Sequence, residues 1–303
     1  MKALNEQFQV RNNKHEESNI NQLSLNRTSF SGKEHFMETI LALDIGNSDI
    51  VSVLYDGDGT RLSDQRKPTI KEESYKKYMT FFNELDTEFQ IEEAPEAVIV
   101  SCVVPYIREM VLEVLKNVYP DSRIYRVAPG MAPDLIVDMP DPRELGADLA
   151  ATAVGAYQKY NDMVIVADLG SASKLTIINE DYHFIGGIIM PGIGFQAKSL
   201  HQMIPHLPEI ELKKPASVMG QDTITSIQSG IINGALQSVL GLAREVEKET
   251  GRKCQKVITG GLSKLYSSED LEDFEYDEFL RSDGLYHIAR YWLDSPEEPV
   301  ILV

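Results

Sequence analysis

Apolar residues recur along this chain in two rhythms, and their alternation sets the fold class. A strand-length run, Thr39-Ile-Leu-Ala-Leu-Asp44, meets the turn Ile45-Gly46-Asn47-Ser48 and resumes through Ile50, Val51, Val53 and Leu54 to Asp56-Gly57-Asp58-Gly59. That is the pattern of a β-hairpin. Tyr75, Tyr78, Met79, Phe82, Leu85 and Phe89 fall at helical spacing within residues 70–90, and Ala97-Val-Ile-Val-Ser-Cys-Val-Val104 reads as a buried strand. A second cycle predicts a helix over 106–119 through Ile107, Met110, Val111, Val114 and Leu115, and another over 144–160. Prolines 129, 133, 140 and 142 between them mark a surface loop placed to frame a site. Met163-Val-Ile-Val-Ala167 then runs into Asp168-Leu-Gly-Ser-Ala-Ser173 and out through Leu175-Thr-Ile-Ile178. Strand, helix and strand alternate throughout, which predicts an α/β protein.

The layout around Asp44 returns around Asp168, 124 residues later. Each aspartate ends an apolar run, is followed by Gly two positions on, and precedes another strand, so the chain reads as two similar halves facing each other. The expected organisation is a polar, disordered extension over 1–36, an N-terminal domain over 37–160 and a C-terminal domain over 161–303. Residues 1–36 carry six Asn and no sustained period, and the ordered chain is expected to begin at Met37. A carboxylate at a strand end, followed by Gly and a small amide or hydroxyl residue, makes a tight turn whose N–H groups approach phosphate oxygens while the Asp holds a cation or its waters. Taken singly, such a turn is equally an ordinary hairpin, where the same residues are favoured for local reasons. The recurrence, with a third turn at Thr259-Gly260-Gly261 after Lys256-Val-Ile258, favours a nucleotide site between the halves.

Composition narrows the partners. At 303 residues and 34.0 kDa the chain has length for two domains, and a net charge of −18 repels polyphosphate backbones and anionic lipid. Neither nucleic acid nor membrane is an expected partner. Cys102 and Cys254 stand alone, the six histidines form no ligand spacing, and no apolar stretch reaches the ~18–20 residues of a membrane span. A cytoplasmic protein is expected.

The motifs LALDIGNS (Leu41–Ser48), VSCVVP (Val100–Pro105), ELGAD (Glu144–Asp148), AVGAY (Ala153–Tyr157), DLGSAS (Asp168–Ser173), GGIIMPGI (Gly186–Ile193), LPEIEL (Leu207–Leu212), TSIQSGIING (Thr225–Gly234), TGGL (Thr259–Leu262) and DGL (Asp283–Leu285) follow one another in order. In this series, from residue 38 to about 290, the chain resembles the type III pantothenate kinases of the actin, hexokinase and sugar-kinase superfamily. The resemblance implies two tandem ribonuclease-H-like, actin-like ATPase domains with a nucleotide cleft between them. It implies ATP-dependent phosphorylation of pantothenate to 4′-phosphopantothenate, the first step of coenzyme A biosynthesis, by a homodimer using ATP with Mg²⁺ and a monovalent cation, K⁺ or NH₄⁺.

Position by position, the resemblance makes Asp44, Ile45, Gly46, Asn47, Ser48, Asp49, Ile50 and Val51 the first phosphate hairpin and brings Ser171 to ATP. It assigns the monovalent cation to Asp168, makes Asp148 the general base toward the primary hydroxyl of pantothenate, and places Gly146, Ala147, Asp148 and Leu149 at the substrate, with Thr223 of the other subunit opposite Asp148. Phosphoryl transfer asks mainly for alignment and charge neutralisation, which one carboxylate beside the nucleophile suits. The stretch Gly186–Gly192 is expected to pack a strand against the site and open a helix over 194–203. Asp222 or Thr223 also suits a plain helix N-cap.

Departures from the family pattern gather on the substrate side. Met139 stands where the family has Tyr, Asp141-Pro142 where it has Asn-Pro, and Leu149 where it has Arg. Leu offers none of an Arg's directed donors. Lys174 follows the second turn, and the reading favoured here points it outward as a solvated strand residue. These changes leave two alternatives beside the pantothenate kinase: a catalytically impaired nucleotide-binding paralogue, and a kinase for another small hydroxylated acceptor. The acidic segment 269–278 is expected to be a solvated face anchored by its Leu, Phe and Tyr, and Trp292 to pack in the core.

Overall fold

The computed structural model describes residues 38–128, 130–297 and 299, so the expectations for residues 1–37 lie outside the described residues. One sheet has the order β3-β2-β1-β4-β5: β1 (Thr39–Ile45), β2 (Asp49–Asp56), β3 (Arg61–Pro68), β4 (Ala97–Cys102) and β5 (Arg123–Arg126). The other runs β11-β10-β7-β8-β9-β6: β6 (Ile136–Val137), β7 (Val164–Leu169), β8 (Ala172–Ile178), β9 (His183–Pro191), β10 (Gln255–Thr259) and β11 (Glu275–Tyr276). The duplication is real at the level of topology. β1 pairs antiparallel with β2 and parallel with β4, and β7 pairs antiparallel with β8 and parallel with β10.

The helices are α1 (Tyr75–Phe89), α2 (Pro105–Val118), α3 (Ala147–Tyr160), α4 (Ile193–Met203), α5 (Thr223–Gln228), α6 (Gly234–Thr250) and α7 (Leu280–Asp294), with a π turn over Ser229–Asn233. The helices expected over 70–90, 106–119, 144–160 and 194–203 form as α1 to α4, whereas α6 answers to no element expected from the sequence. α1 begins at 75 because the side chain of Ser74 accepts from the Lys77 N–H and caps it, and the expected 144–160 helix begins at Ala147 after a 3₁₀ turn over Pro142–Glu144. Strand β3 escapes the hydrophobic pattern: Arg61-Leu-Ser-Asp-Gln-Arg-Lys-Pro68 is polar because it is an edge strand with alternate residues in solvent.

Side-chain alternation builds five layers. From β1, Leu41, Leu43 and Ile45 face α1 and α2, joining Tyr78, Phe82, Ile107 and Leu115. Ile40 and Ala42 point the other way, into a core shared with Ala151, Val154, Leu285 and Ile288 of α3 and α7 and with Val164 and Val166 of β7. The alternate residues of β7, Ile165, Ala167 and Leu169, face Ile232, Leu236 and Val239 of the π turn and α6. Helices α3 and α7 are therefore sandwiched between the two sheets. They cross closely through two glycines: a Cβ at Gly284 would lie 1.9 Å from the Ala151 carbonyl oxygen, and one at Gly155 would lie 2.0 Å from that of Leu280.

Further polar contacts fix these layers. Tyr55 Oη donates to Asp283 Oδ1 at 2.7 Å and Tyr286 Oη to the Gly57 carbonyl at 2.9 Å, tying α7 to the first hairpin. At the far end of α6, buried Glu247 pairs with Lys256 of β10 at 2.9 Å and with Lys253 at 3.0 Å, and accepts from the Cys254 N–H. Trp292 is packed against the shared core as expected, and its indole N–H donates to the Met131 carbonyl. Leu271 and Phe274 anchor the acidic segment while Tyr276 stays exposed. Among the described residues no helix is long and apolar enough to cross a membrane.

Candidate active site

Strand parity delivers three of the site's charges. Asp44 shares its face of β1 with Ile40 and Ala42, and Asp168 shares its face of β7 with Val164 and Val166, so both carboxylates turn toward the helix layer between the sheets. Lys174 is the cross-strand partner of Asp168 in the β7–β8 ladder. Directly paired residues lie on the same face, so Lys174 also points inward. This corrects the outward reading of Lys174: its ammonium donates to Asp148 Oδ2, and only 19% of the side chain is exposed.

Asp148 stands in the first turn of α3, after the N-cap Gly146. A Cβ at Gly146 would come within 2.7 Å of Asp148 Oδ1, so the Gly of Gly-Ala-Asp leaves room for the carboxylate. Burial alone would raise the Asp148 pKa, but the charges of Lys174 and Arg281, with hydrogen bonds from Lys174 and the Leu149 N–H, hold it below the usual carboxylate range. The group is ionised at neutral pH and has the polarity a proton acceptor needs.

Arg281, in the first turn of α7, closes the cluster. Its Nη1 donates to Asp44 Oδ2 at 2.5 Å, its Nη2 to Asp168 Oδ2, and its Nε lies 3.4 Å from the Thr152 hydroxyl, which itself donates to the Asp148 carbonyl at 2.7 Å. Burial would lower the Arg281 pKa, but Asp44, Asp168 and Asp148 together raise it. Three buried carboxylates and two cations from five elements thus form one network.

The three Gly turns converge beside it. Ser48 Oγ and Ser171 Oγ are 2.8 Å apart, so the two Asp-x-Gly turns touch. Gly260 has φ +94°, and a Cβ there would fall 2.5 Å from Asp168 Oδ1. Only glycine fits that approach. Gly192, the N-cap of α4, is equally constrained, because a Cβ would meet the Ser171 carbonyl oxygen at 2.3 Å. The Gly186–Gly192 stretch forms most of β9 and leads into α4 as expected.

The remaining sequence-derived positions divide. Gly46 closes its turn with N–H to the Asp49 carbonyl at 2.9 Å, its own carbonyl accepts from Thr69 Oγ1, and Asn47 and Ser48 are exposed at the tip. Asp49 faces Arg66 at 3.4 Å. Ile45 and Ile50 bury their side chains in the outer core, while Val51 packs toward the shared core, so these three brace the turn and leave only backbone to a ligand. Ala147 packs toward the shared core. Leu149 and Met139 join Leu145, Ala150 and Phe184 in a small apolar cluster. Asp141 caps the Pro142–Glu144 turn and is paired with Arg143 in solvent.

Thr223 is the first residue of α5, behind the N-cap Asp222, whose carboxylate accepts from the Thr225 N–H. It lines an open groove of about 740 Å³ with Leu200, Leu207, Gln221 and Ile231, and none of Asp44, Asp148 and Asp168 belongs to that lining. Within one chain, then, Thr223 does not join the charge network. Arg281 is the site residue that sequence reasoning missed. Its signal was a lone Arg inside the apolar helical face of Leu280, Gly284 and Leu285.

The side chains sort the cations that the resemblance implies. A divalent ion carried on nucleotide phosphates keeps most of its waters and needs few protein oxygens. Asp44 Oδ1, buried and without a hydrogen-bond partner, is an acceptor suited to one of those waters, which would keep the ion itself off the carboxylate that Arg281 holds. A monovalent cation at Asp168 does not fit, because the Arg281 guanidinium already sits on that carboxylate. Among the described residues, no group of three or more His, Cys, Asp or Glu is arranged to hold a metal.

The family model for type III pantothenate kinase matches residues 40–245. Among solved structures, the chain is similar to the ethanolamine utilization protein EutJ from Carboxydothermus hydrogenoformans, at 15% identity and TM-score 0.50, over 82% of this chain and 88% of that one. It is also similar to a protein from Sinorhizobium meliloti described as a 2-dehydro-3-deoxygalactonokinase, at 13% identity and TM-score 0.51, over 84% of this chain and all of that one. These likenesses show the fold: mixed α/β with two ribonuclease-H-like sheets, of the actin-like ATPase class.

Proposed function

Because the chain belongs to the type III pantothenate kinase family, a kinase family whose chemistry implies ATP and a divalent metal, we propose that it transfers the γ-phosphoryl group of ATP to the primary hydroxyl of pantothenate. The observation that carries this reading is the position of Asp148, an ionised carboxylate paired with Lys174 and lying in the field of Arg281, which bridges Asp44 and Asp168 at the two turns. In the reading, the turns after Asp44 and Asp168 cradle the phosphates, with Ser171 beside them, and Asp148 accepts the hydroxyl proton. The hydroxyl oxygen forms the new bond to the γ-phosphorus as the bond to the ADP oxygen breaks. Lys174, one ion pair away, faces the charge on the group in transit. The divalent ion supplies neutralisation of the phosphates.

The same reading divides the chain into an N-terminal domain from 37 to 160 and a C-terminal domain from 161 to 303, with the nucleotide between them. It makes the enzyme a cytoplasmic homodimer whose Thr223 reaches Asp148 of the partner subunit, with 4′-phosphopantothenate entering coenzyme A synthesis. Ile189, Phe195, Met203, Val218 and Met219 support a dimer, since they leave exposed apolar side chains on β9, on α4 and on the segment after it.

A second reading, a kinase for a different hydroxylated acceptor, is favoured by the apolar cluster of Met139 and Leu149 where the family offers aromatic and cationic contacts. A coupled ADP-release assay with ATP and Mg²⁺, with and without pantothenate, separates the readings. Pantothenate-dependent release supports the first. Release only with another acceptor selects the second, and nucleotide binding without release to any acceptor leaves an impaired paralogue.

A further inference from the structure

We propose that Arg281 is a built-in monovalent cation: its guanidinium, held between Asp44 and Asp168, sits on the carboxylate of Asp168 to which the resemblance assigns a potassium or ammonium ion, so nucleotide binding by this chain requires neither. The inference rests on the reading that the Asp44 and Asp168 turns hold nucleotide phosphates.

Three features support it. First, the guanidinium bridges both carboxylates at once, with Nη1 on Asp44 at 2.5 Å and Nη2 on Asp168, so it supplies one positive charge where an exchangeable ion would. A second cation against Asp168 would face that charge at contact range, in surroundings where Asp44 and Asp168 have only 8% of their side chains exposed. Second, the charge is fixed in place. Arg281 rides on the first turn of α7, and α7 is locked to α3 through Gly284 and Gly155, where no side chain fits. The carboxylates are equally fixed, at the ends of central strands in two sheets. Third, the group has donors to spare. Of its five N–H groups, one faces Thr152, one Asp44 and one Asp168, which leaves two for a phosphate oxygen. A bare monovalent ion offers charge without such direction. Lys174 extends the arrangement to Asp148, so each of the three site carboxylates has a covalently tethered cation.

The test is equilibrium binding of ATP in the presence of Mg²⁺, by calorimetry on the full chain, at constant ionic strength in potassium, ammonium, sodium or choline chloride. The inference expects the wild-type Kd to agree within about twofold in all four salts. It expects Arg281→Met to weaken binding by about tenfold or more in choline and to recover a good part of that loss in potassium, while Arg281→Lys stays near wild type in choline. Wild-type binding that is tight in potassium and at least tenfold weaker in choline overturns the inference and leaves the nucleotide reading standing. Wild-type binding in none of the salts overturns the nucleotide reading and the inference with it. The wild-type salt series needs no variant, so the outcome stands even if Arg281→Met unfolds.

Discussion

Lys174→Met tests whether the charge network is real, because it removes one cation while keeping most of the side-chain volume. Asp148 is buried, and only Lys174, Arg281 and the Leu149 N–H keep its pKa low. Two of its four lowering contributions come from Lys174. Removing one partner of a buried pair costs about 3–5 kcal/mol, and the 19% exposure of Lys174 together with the remaining Arg281 places this case near 2–3 kcal/mol. For a chain of this size that is a fall in Tm of about 4–10 °C at pH 7. The pH dependence changes as well. In the wild type the folded pKa of Asp148 is depressed, so its stabilisation is present above the ordinary value of 3.8 and fades as pH falls through the lower, folded value. In Lys174→Met the folded pKa rises, so the gap to the unfolded value closes and the acid-side loss shrinks. Should burial carry the folded pKa above the unfolded one, stability declines instead as pH rises between them, by about 1.4 kcal/mol per pH unit. Thermal unfolding from pH 3 to 8, on both proteins in one buffer series, reads out both effects. A Tm within about 1 °C of wild type across that range would refute the inward pairing of Lys174 with Asp148.

Three further outcomes follow from the site and its supports. Asp148→Asn is expected to keep ATP affinity within a few-fold while lowering kcat by roughly 10²–10⁴, and unchanged turnover in steady-state kinetics removes Asp148 from the role of base. Gly284→Ala drives a methyl into the Ala151 carbonyl, so α7 must shift; a loss of about 3 kcal/mol or more in denaturant unfolding is expected, together with weaker ATP binding because Arg281 moves with the helix, and wild-type stability would show that the crossing is loose. Glu247 has its pKa held down to about 2, since Lys256, Lys253 and the Cys254 N–H outweigh burial; its contribution is present above the ordinary 4.5 and is lost as pH falls from there toward 2, so Glu247→Gln should be less stable at pH 7 and show a flatter stability curve over that acid range.

The expected strands and helices were legible because one face of each carries an unbroken apolar period. Leu41, Leu43 and Ile45 on one side of β1, with Ile40 and Ala42 on the other, announce a strand buried twice over. β3 was not legible for the complementary reason: an edge strand with solvent on alternate residues has no apolar period to show. The same alternation carries the site further than the motifs do. Once Asp168 is turned toward the helix layer, the hairpin register forces Lys174 to the same side, and the outward reading fails by that geometry alone. Arg281 could not be placed by any local rule, since its partners are 237 and 113 residues away and only the sandwich of α3 and α7 between the sheets brings them together.

That sandwich also imposes an order on biogenesis. A growing chain lays down Asp44, Asp148 and Asp168 long before the ribosome reaches residue 281, and at ~5–20 residues per second the interval from Asp168 to Arg281 lasts roughly 6–23 seconds. Through that interval the inner faces of both sheets lack α7, and two of the acidic positions lack the cation that balances them. The last long helix acts as a keystone: until it seats, the inner face of the first sheet has only α3 against it, and charge balance at the phosphate turns arrives together with completion of the core.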